Sequence, residues 1–157
     1  MKLRPALAAD APALAGLWRQ VDELHARLLP TYFRVASDGP TRPLSDLGRI
    51  LASGTEALFV AEESGVLLGF VHAQIYDTPA APTMTPRRRA HVDDLIVDKS
   101  HRRRGVGRAL MQAAEIWARD RGAAEVVLTL WRGNKSAEAF YAGVGYQPLS
   151  TVLHREI

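Results

Sequence analysis

The sequence predicts a mixed α/β fold with elements in the order β-α-α-β-β-β-α-β-α-β. Three observations carry this. Stretches with apolar residues at helical spacing alternate with short strand-like apolar runs. Ser64-Gly65 separates two such runs, which is a hairpin signal. The apolar run ending at Val97 leads through a basic, glycine-bearing loop into a helical stretch. Strands and helices mixed around one core give α/β or α+β layers.

Lys2–Pro5 reads as a short first strand. Asp10 suits a helix N-cap, and Pro12 falls in the first turn, where its missing N–H costs nothing. Leu14, Leu17, Trp18, Val21, Leu24 and Leu28 recur at helical spacing, so a helix spans Ala11 to Leu28 and ends at Pro30. Thr31–Thr41 reads as a loop, and Leu44–Ser53 as a second helix closed by Gly54. Ala57–Glu63 and Val66–Tyr76 are the hairpin strands. Asp77–Pro86 holds Pro79, Pro82 and Pro86 and reads as irregular. His91–Val97 is a strand. Gly105–Arg121 is a helix with Val106, Leu110, Ala113, Ala114 and Trp117 on one face and Gly122 as its C-cap. Glu125–Leu130 is a strand, Asn134–Val144 a helix, and Leu149–Ile157 a last strand. No repeat or linker interrupts the chain, so residues 1–157 are expected to form one domain.

Composition narrows the function classes. The chain is 47% hydrophobic and 24% charged, as an ordinary globule is. No apolar run approaches a membrane span. Arg4, Asp10 and Pro12 interrupt the apolar N-terminus, so no signal peptide is expected, and a cytoplasmic location fits. There is no cysteine, which excludes disulfides, Cys-based zinc sites and a cysteine acyl-enzyme. His25, His72, His91, His101 and His154 lack metal-ligand spacing, and no Gly-x-Ser-x-Gly occurs. Neither a metal nor a covalent intermediate is therefore expected. The formal net charge of +3 suits an anionic cofactor. The arginine runs 87–89 and 102–104 flank one apolar strand and do not line a helix face, which disfavours nucleic acid as a partner.

The segment His101–Leu110, HRRRGVGRAL, is the most specific. Glycine lets backbone approach a ligand without Cβ obstruction. The N–H groups of a first helical turn lack internal partners and point outward at a positive dipole end. With arginines beside them they make a pyrophosphate seat. A P-loop is absent, and Leu110 stands where a dinucleotide fingerprint needs its third glycine.

Arg102-x-x-Gly105-x-Gly107 after Asp94-Leu95-Ile96-Val97 resembles the acetyl-CoA motif of the GCN5-related N-acetyltransferase (GNAT) family. Asn134-Lys-Ser-Ala-Glu-Ala-Phe140-Tyr141-Ala-Gly-Val-Gly145-Tyr146 is similar to that family's late motif. The resemblance implies a mixed sheet, flanked by helices, that splays between two central strands to admit the cofactor. It implies acetyl transfer from acetyl-CoA to a primary amine of a small molecule or peptide, by direct attack in a ternary complex, and a homodimer. A non-catalytic acyl-CoA sensor of the same fold is the alternative; it has no need of Tyr141 or Asp93.

On this resemblance, backbone amides from Arg103 to Arg108, through Arg104, Gly105, Val106 and Gly107, hold the pyrophosphate. Arg102, Arg103 and Arg104 add charge. Leu95, Ile96 and Val97 offer backbone groups to the pantetheine arm, as to an added strand. Tyr141 is the general acid, and Asn134 is both a helix cap and a cofactor contact. Asp93 matches a glutamate of polyamine-type members and is expected to act as base, directly or through water. Asp94, His72 and His91 are alternatives. Strand periodicity points Asp93 and Asp94 to opposite faces unless a bulge changes the parity. The acceptor pocket is expected from Asp22, Glu23, His25, Tyr32, Phe33, Gln74 and Tyr76, which suit a cation with an apolar body. Asp77–Arg89 reads as a lid or plain surface, and Arg87–Arg89 as solvated or anion-binding.

Overall fold

The computed structural model describes residues 1–37 and 44–155. In chain order the elements are β1 (Lys2–Pro5), α1 (Ala11–Leu28), α2 (Leu44–Ala52), β2 (Glu56–Glu63), β3 (Val66–Asp77), β4 (Arg88–Val97), α3 (Val106–Asp120), β5 (Glu125–Leu128) and α4 (Lys135–Gly143). The five strands form one sheet in the order β1-β2-β3-β4-β5. β1 to β4 are antiparallel neighbours, and β5 runs parallel to β4. A parallel pair needs a crossover, which α3 supplies.

Local chemistry explains the joints. Asp10 occupies the N-cap position of α1, but its carboxylate accepts from the Leu7 amide at 2.8 Å and pairs with Arg4 at 2.7 Å. Arg4 also reaches Glu62 of β2 at 2.7 Å, so one guanidinium ties β1, β2 and the start of α1. Ser64 and Gly65 both have positive φ, 51° and 78°, as a two-residue primed turn demands. Gly122 closes α3 with φ 75°.

Two apolar layers cover the sheet. On one face α3 packs Val106, Leu110, Met111, Ala114 and Trp117 against Val71, Ala73, Ala90 and Val92. On the other, α1 and α2 pack Leu14, Leu17, Trp18, Leu47 and Ile50 against Leu58, Val60, Phe70 and Ile96. Leu14 and Leu110 are fully buried; such a side chain contributes roughly 1.5–3 kcal/mol.

Two irregularities in β4 position the site. Its pairing with β5 ends at Val92↔Leu128, while β4 itself continues to Val97. The two strands part there, and the β4 edge from Asp93 to Val97 is left open. The second irregularity is a bulge. His72 pairs with Asp94 and Ala73 with Val92, so Asp93 is the extra residue. Before it, Ala90 and Val92 face α3; after it, Leu95 and Val97 do. The bulge reverses the parity, and Asp93 and Asp94 line the same cavity instead of opposite faces.

One expected element fails. No strand forms over Leu149–Arg155, and Leu149, Val152 and Leu153 are 68%, 92% and 89% exposed. A strand is made by a ladder partner, and among the described residues the segment finds none. Glu156 and Ile157 lie outside the described residues, as do Asp38–Thr41 of the expected loop.

Candidate active site

The start of α3 lies beside the open β4 edge, and its two glycines have different jobs. Gly105 is the N-cap with φ 80°, and a Cβ there would meet nothing within 4 Å. It is needed for conformation: a left-handed residue followed by helical Val106 turns successive N–H groups into one anion-binding concavity. The first helical bond runs from the Ala109 amide to the Gly105 carbonyl, 3.1 Å. The amides before it belong to the turn that no intrahelical carbonyl serves. Gly107 is needed for space. A Cβ there would lie 3.2 Å from the Phe140 ring and 3.5 Å from Val97 Cγ2.

Arg103 also holds a left-handed φ of 64°, which costs a side chain-bearing residue about 1–2 kcal/mol. Such strain concentrates at functional loops. Arg102 Nε donates to the Val97 carbonyl at 3.2 Å, Arg104 pairs with Glu63 at 2.9 Å, and Arg108 donates to the Gly143 carbonyl at 3.3 Å. Arg103 has no hydrogen-bond or ion-pair partner among the described residues. The run at the start of β4 is engaged differently. Arg87 and Arg89 lie 3.7 and 2.6 Å from Glu125, and Arg88 lies 3.8 Å from Asp77. These charges are engaged in strand-end pairs, at the opposite end of β4 from the start of α3.

On the α1–α2 side a cavity of about 300 Å³ is lined by Trp18, Asp46, Arg49, Ile50, His72, Asp93 and Asp94. Trp18 Nε1 donates to Asp94 at 2.9 Å. Asp93 is the more crowded carboxylate. Gln74 Nε2 donates to both its oxygens, at 2.9 and 3.0 Å. His91 Nδ1 lies 2.8 Å from Oδ1 and His72 Nδ1 lies 3.6 Å from Oδ2. Burial pushes this carboxyl up, but the hydrogen bonds from His91 and Gln74, with the charges of His72 and His91, outweigh it and hold Asp93 below the usual carboxylate range.

His72 is the one polar residue among the described core, 9% exposed. Its Nε2 lies 2.9 Å from Glu56 Oε2, and the other Glu56 oxygen is gripped by Arg49. Glu56 is likewise pushed up by burial and brought below its ordinary range by Arg49 and His72.

Tyr141 sits on α4 in edge contact with Phe140 and Tyr146, with ring centroids 5.1 and 5.7 Å away. Burial, reinforced by the Asp94 charge, pushes its phenol up to about 12. Asp94 therefore lines the cavity and also acts on Tyr141 from across the parting of the strands. Asn134 caps α4, its Oδ1 accepting from the Ala137 amide at 3.2 Å.

Of the expected acceptor residues, Gln74 joins Asp93, but Asp22, Tyr32, Phe33 and Tyr76 do not line this cavity. Phe33 packs on Trp131, centroids 4.8 Å apart, and on His25 at 5.0 Å. Tyr32 Oη lies 3.2 Å from His154 Nδ1. Tyr76 stands opposite Arg89 near the start of β4. The reason is α2, which covers the sheet with Asp46, Arg49 and Ile50. Those residues, with Trp18 and Glu56, were not picked out in the sequence. Glu56 carried no sequence signal: the bulge at Ala61–Glu62 sets the register that pairs Leu58 with His72 and makes Glu56 its same-face neighbour. Trp18 read simply as an apolar helix position. Among the described residues no group of three or more His, Asp or Glu is placed to hold a metal ion, and no helix is long and apolar enough to cross a membrane.

The model of the acetyltransferase (GNAT) family matches residues 18–146. The chain belongs to the GNAT acetyltransferase family. An uncharacterised N-acetyltransferase of Bacillus subtilis (strain 168), YhfO, is 30% identical over 154 residues, covering 98% of this chain and 95% of that protein. The crystal structure of a mutant form of the BH1408 protein from Bacillus halodurans superposes with a TM-score of 0.94 at 25% identity, over 100% of this chain and 99% of that one. The aminoglycoside N-acetyltransferase AAC(6')-Iy, solved in complex with CoA, shares the fold with a TM-score of 0.75 at 19% identity, over 99% of this chain and 98% of that one. As a GNAT protein with N-acetyltransferase relatives, the chain is supported as an acyltransferase.

Proposed function

We propose that this GNAT protein transfers an acetyl group from acetyl-CoA to the primary amine of a small, cationic molecule or peptide, by direct attack in a ternary complex. The observation that carries the reading is the open β4 edge, which runs between the glycine-started α3 and the carboxylate-lined cavity. A peptide-like pantetheine arm fits that edge, pairing with the backbone of Leu95, Ile96 and Val97. A pyrophosphate fits the concavity at Arg103–Arg108, where Gly105 leaves open space and Arg103 has a guanidinium to spare. The CoA held by the structural neighbour AAC(6')-Iy supports the same ligand here.

On the other side of the gap, Asp46, Asp93 and Asp94 offer negative charge, and Trp18 and Ile50 offer apolar surface. That lining suits an ammonium on an apolar body. Asp93, held ionised by its donors, anchors the ammonium. Tyr141, held neutral, keeps a proton for the departing sulfur.

The test is CoA release, followed with a thiol-reactive dye, from acetyl-CoA and a panel of polyamines, aminoglycosides, amino acids and N-terminal peptides. The protein has no cysteine and adds no background. Turnover with cationic amines is expected. Failure of acetyl-CoA to bind by calorimetry would sink the reading; tight binding without turnover would favour the sensor.

A further inference from the structure

We infer that the general base is His72, acting through Nδ1, with Glu56 and Arg49 as positioning residues and Asp93 as the anchor of the acceptor ammonium. This rests on the acetyltransferase reading above.

The base must present a lone pair to the cavity. Asp93 is poorly placed for that, because Gln74 donates to both of its oxygens and His91 to one. A carboxylate so satisfied is a weak base. His72 has the opposite character. It lines the cavity, yet its ring is nearly sealed from water. Its two nitrogens face different partners: Nε2 lies at hydrogen-bond distance from Glu56, 2.9 Å, while Nδ1 lies 3.6 Å from Asp93. Only the first is a hydrogen bond. A neutral imidazole has one N–H, and the Glu56 carboxylate claims it for Nε2. Nδ1 is then a bare acceptor facing a carboxylate across a space too long for a direct bond. A donor that serves both fits there, and the N–H of an ammonium is such a donor.

Glu56 is itself fixed by Arg49 from α2, so the order Arg49–Glu56–His72 locks ring orientation and tautomer together. The charged and titratable groups around His72 include Glu56 from β2, Asp93 and Asp94 from β4, and Arg49 and Asp46 from α2; His91 reaches Asp93, and α1 contributes the Trp18 indole.

The step balances. The ammonium gives one proton to His72 Nδ1, and Glu56 and Asp93 hold the resulting imidazolium between them. The freed nitrogen lone pair forms the C–N bond while the C–S bond breaks, its electron pair going to sulfur. Tyr141 protonates that sulfur, and the second proton lost from nitrogen restores the phenol. His72 returns its proton to solvent, so one proton leaves per turnover.

The experiment has two arms. Long-range proton–nitrogen NMR on histidine-labelled protein reads the His72 tautomer with no need of turnover. Protonated Nε2 and bare Nδ1 at neutral pH are expected; protonated Nδ1 overturns the inference. The second arm compares pH profiles of kcat/KM. In His72→Gln the amide nitrogen takes the place of Nε2 beside Glu56 but supplies no base. It is expected to melt near the wild type, lose roughly 100-fold or more in kcat/KM, and lose the acid limb. In Glu56→Gln the carboxylate that claims the Nε2 proton is gone, so kcat/KM is expected to fall with little change in KM for acetyl-CoA. His72→Gln at wild-type activity, with the limb intact, sinks the base assignment alone. A wild-type protein that acetylates no amine sinks the acetyltransferase reading, and this assignment with it.

Discussion

At the Tyr141 hydroxyl, water has been exchanged for apolar ring edges and the field of Asp94, which is why the phenol stays neutral far into the alkaline range. The proposed general acid needs its acid form, which is lost only as pH rises through about 12. Tyr141 therefore predicts no alkaline fall in kcat between pH 8 and 10. Tyr141→Phe keeps the ring contacts with Phe140 and Tyr146 and removes only the proton. Its kcat is expected to drop roughly 100-fold, within the span typical of acid–base groups, with little change in KM for acetyl-CoA. Steady-state kinetics on both substrates checks this, and an equal loss in KM would argue for a binding role. Asp93→Asn tests the other carboxylate role. If Asp93 anchors the ammonium, KM for the amine rises more than kcat falls. The reverse split would return the base to Asp93.

Elements make these residues meet, and here the sequence was legible in part. Asp10–Pro12 and the recurring leucines marked α1 to the residue, and Gly105 and Gly107 marked the start of α3, because both signals are local. The bulge at Asp93 was not legible. Parity along a strand follows from pairing with β3, and pairing is not written in Val92-Asp93-Asp94 itself. The same holds for α2, whose placement over the sheet brings Arg49 to Glu56, and for Leu149–Arg155, which takes no strand partner among the described residues. The two glycines separate conformation from space, and they predict different damage. Gly105→Ala forces a side chain into the left-handed region, costing about 1–2 kcal/mol, and disturbs the amides of the proposed anion seat. Gly107→Ala presses on the Phe140 ring and costs roughly 1–3 kcal/mol by overpacking, moving the α4 ring that neighbours Tyr141. Calorimetry with acetyl-CoA, together with thermal melting, is expected to show weaker binding as the main defect of Gly105→Ala and lower stability as that of Gly107→Ala.

Across the whole molecule, the same carboxylates set its response to acid. Asp10 is held low by Arg4, and Asp98 by Ser100 and Gln20; Glu56 and Asp93 are held low by their donors against the pull of burial. Groups whose folded pKa is depressed stabilise the fold above their unfolded values, about 3.9 for Asp and 4.3 for Glu, and lose that contribution as pH falls through their folded values. Urea midpoints are thus expected to fall steeply below about pH 4; an unchanged midpoint at pH 3 would show these pairs to be energetically idle. The remaining imbalance of the molecule is at its end. Leu149, Val152 and Leu153 stand in water, and among the described residues the four-residue strand β5 has no neighbour on its outer edge. Exposed apolar residues and a bare sheet edge are complementary hazards, each of which a second copy covers. We propose that the chain is a homodimer in which this segment is covered by the partner. Symmetry then satisfies both tails at once. Sedimentation at micromolar concentration is expected to give twice the 17.2 kDa chain mass, and a chain ending at Gln147 is expected to sediment as a monomer. A full-length monomer whose tail is cut readily by protease would show instead that these side chains remain in water.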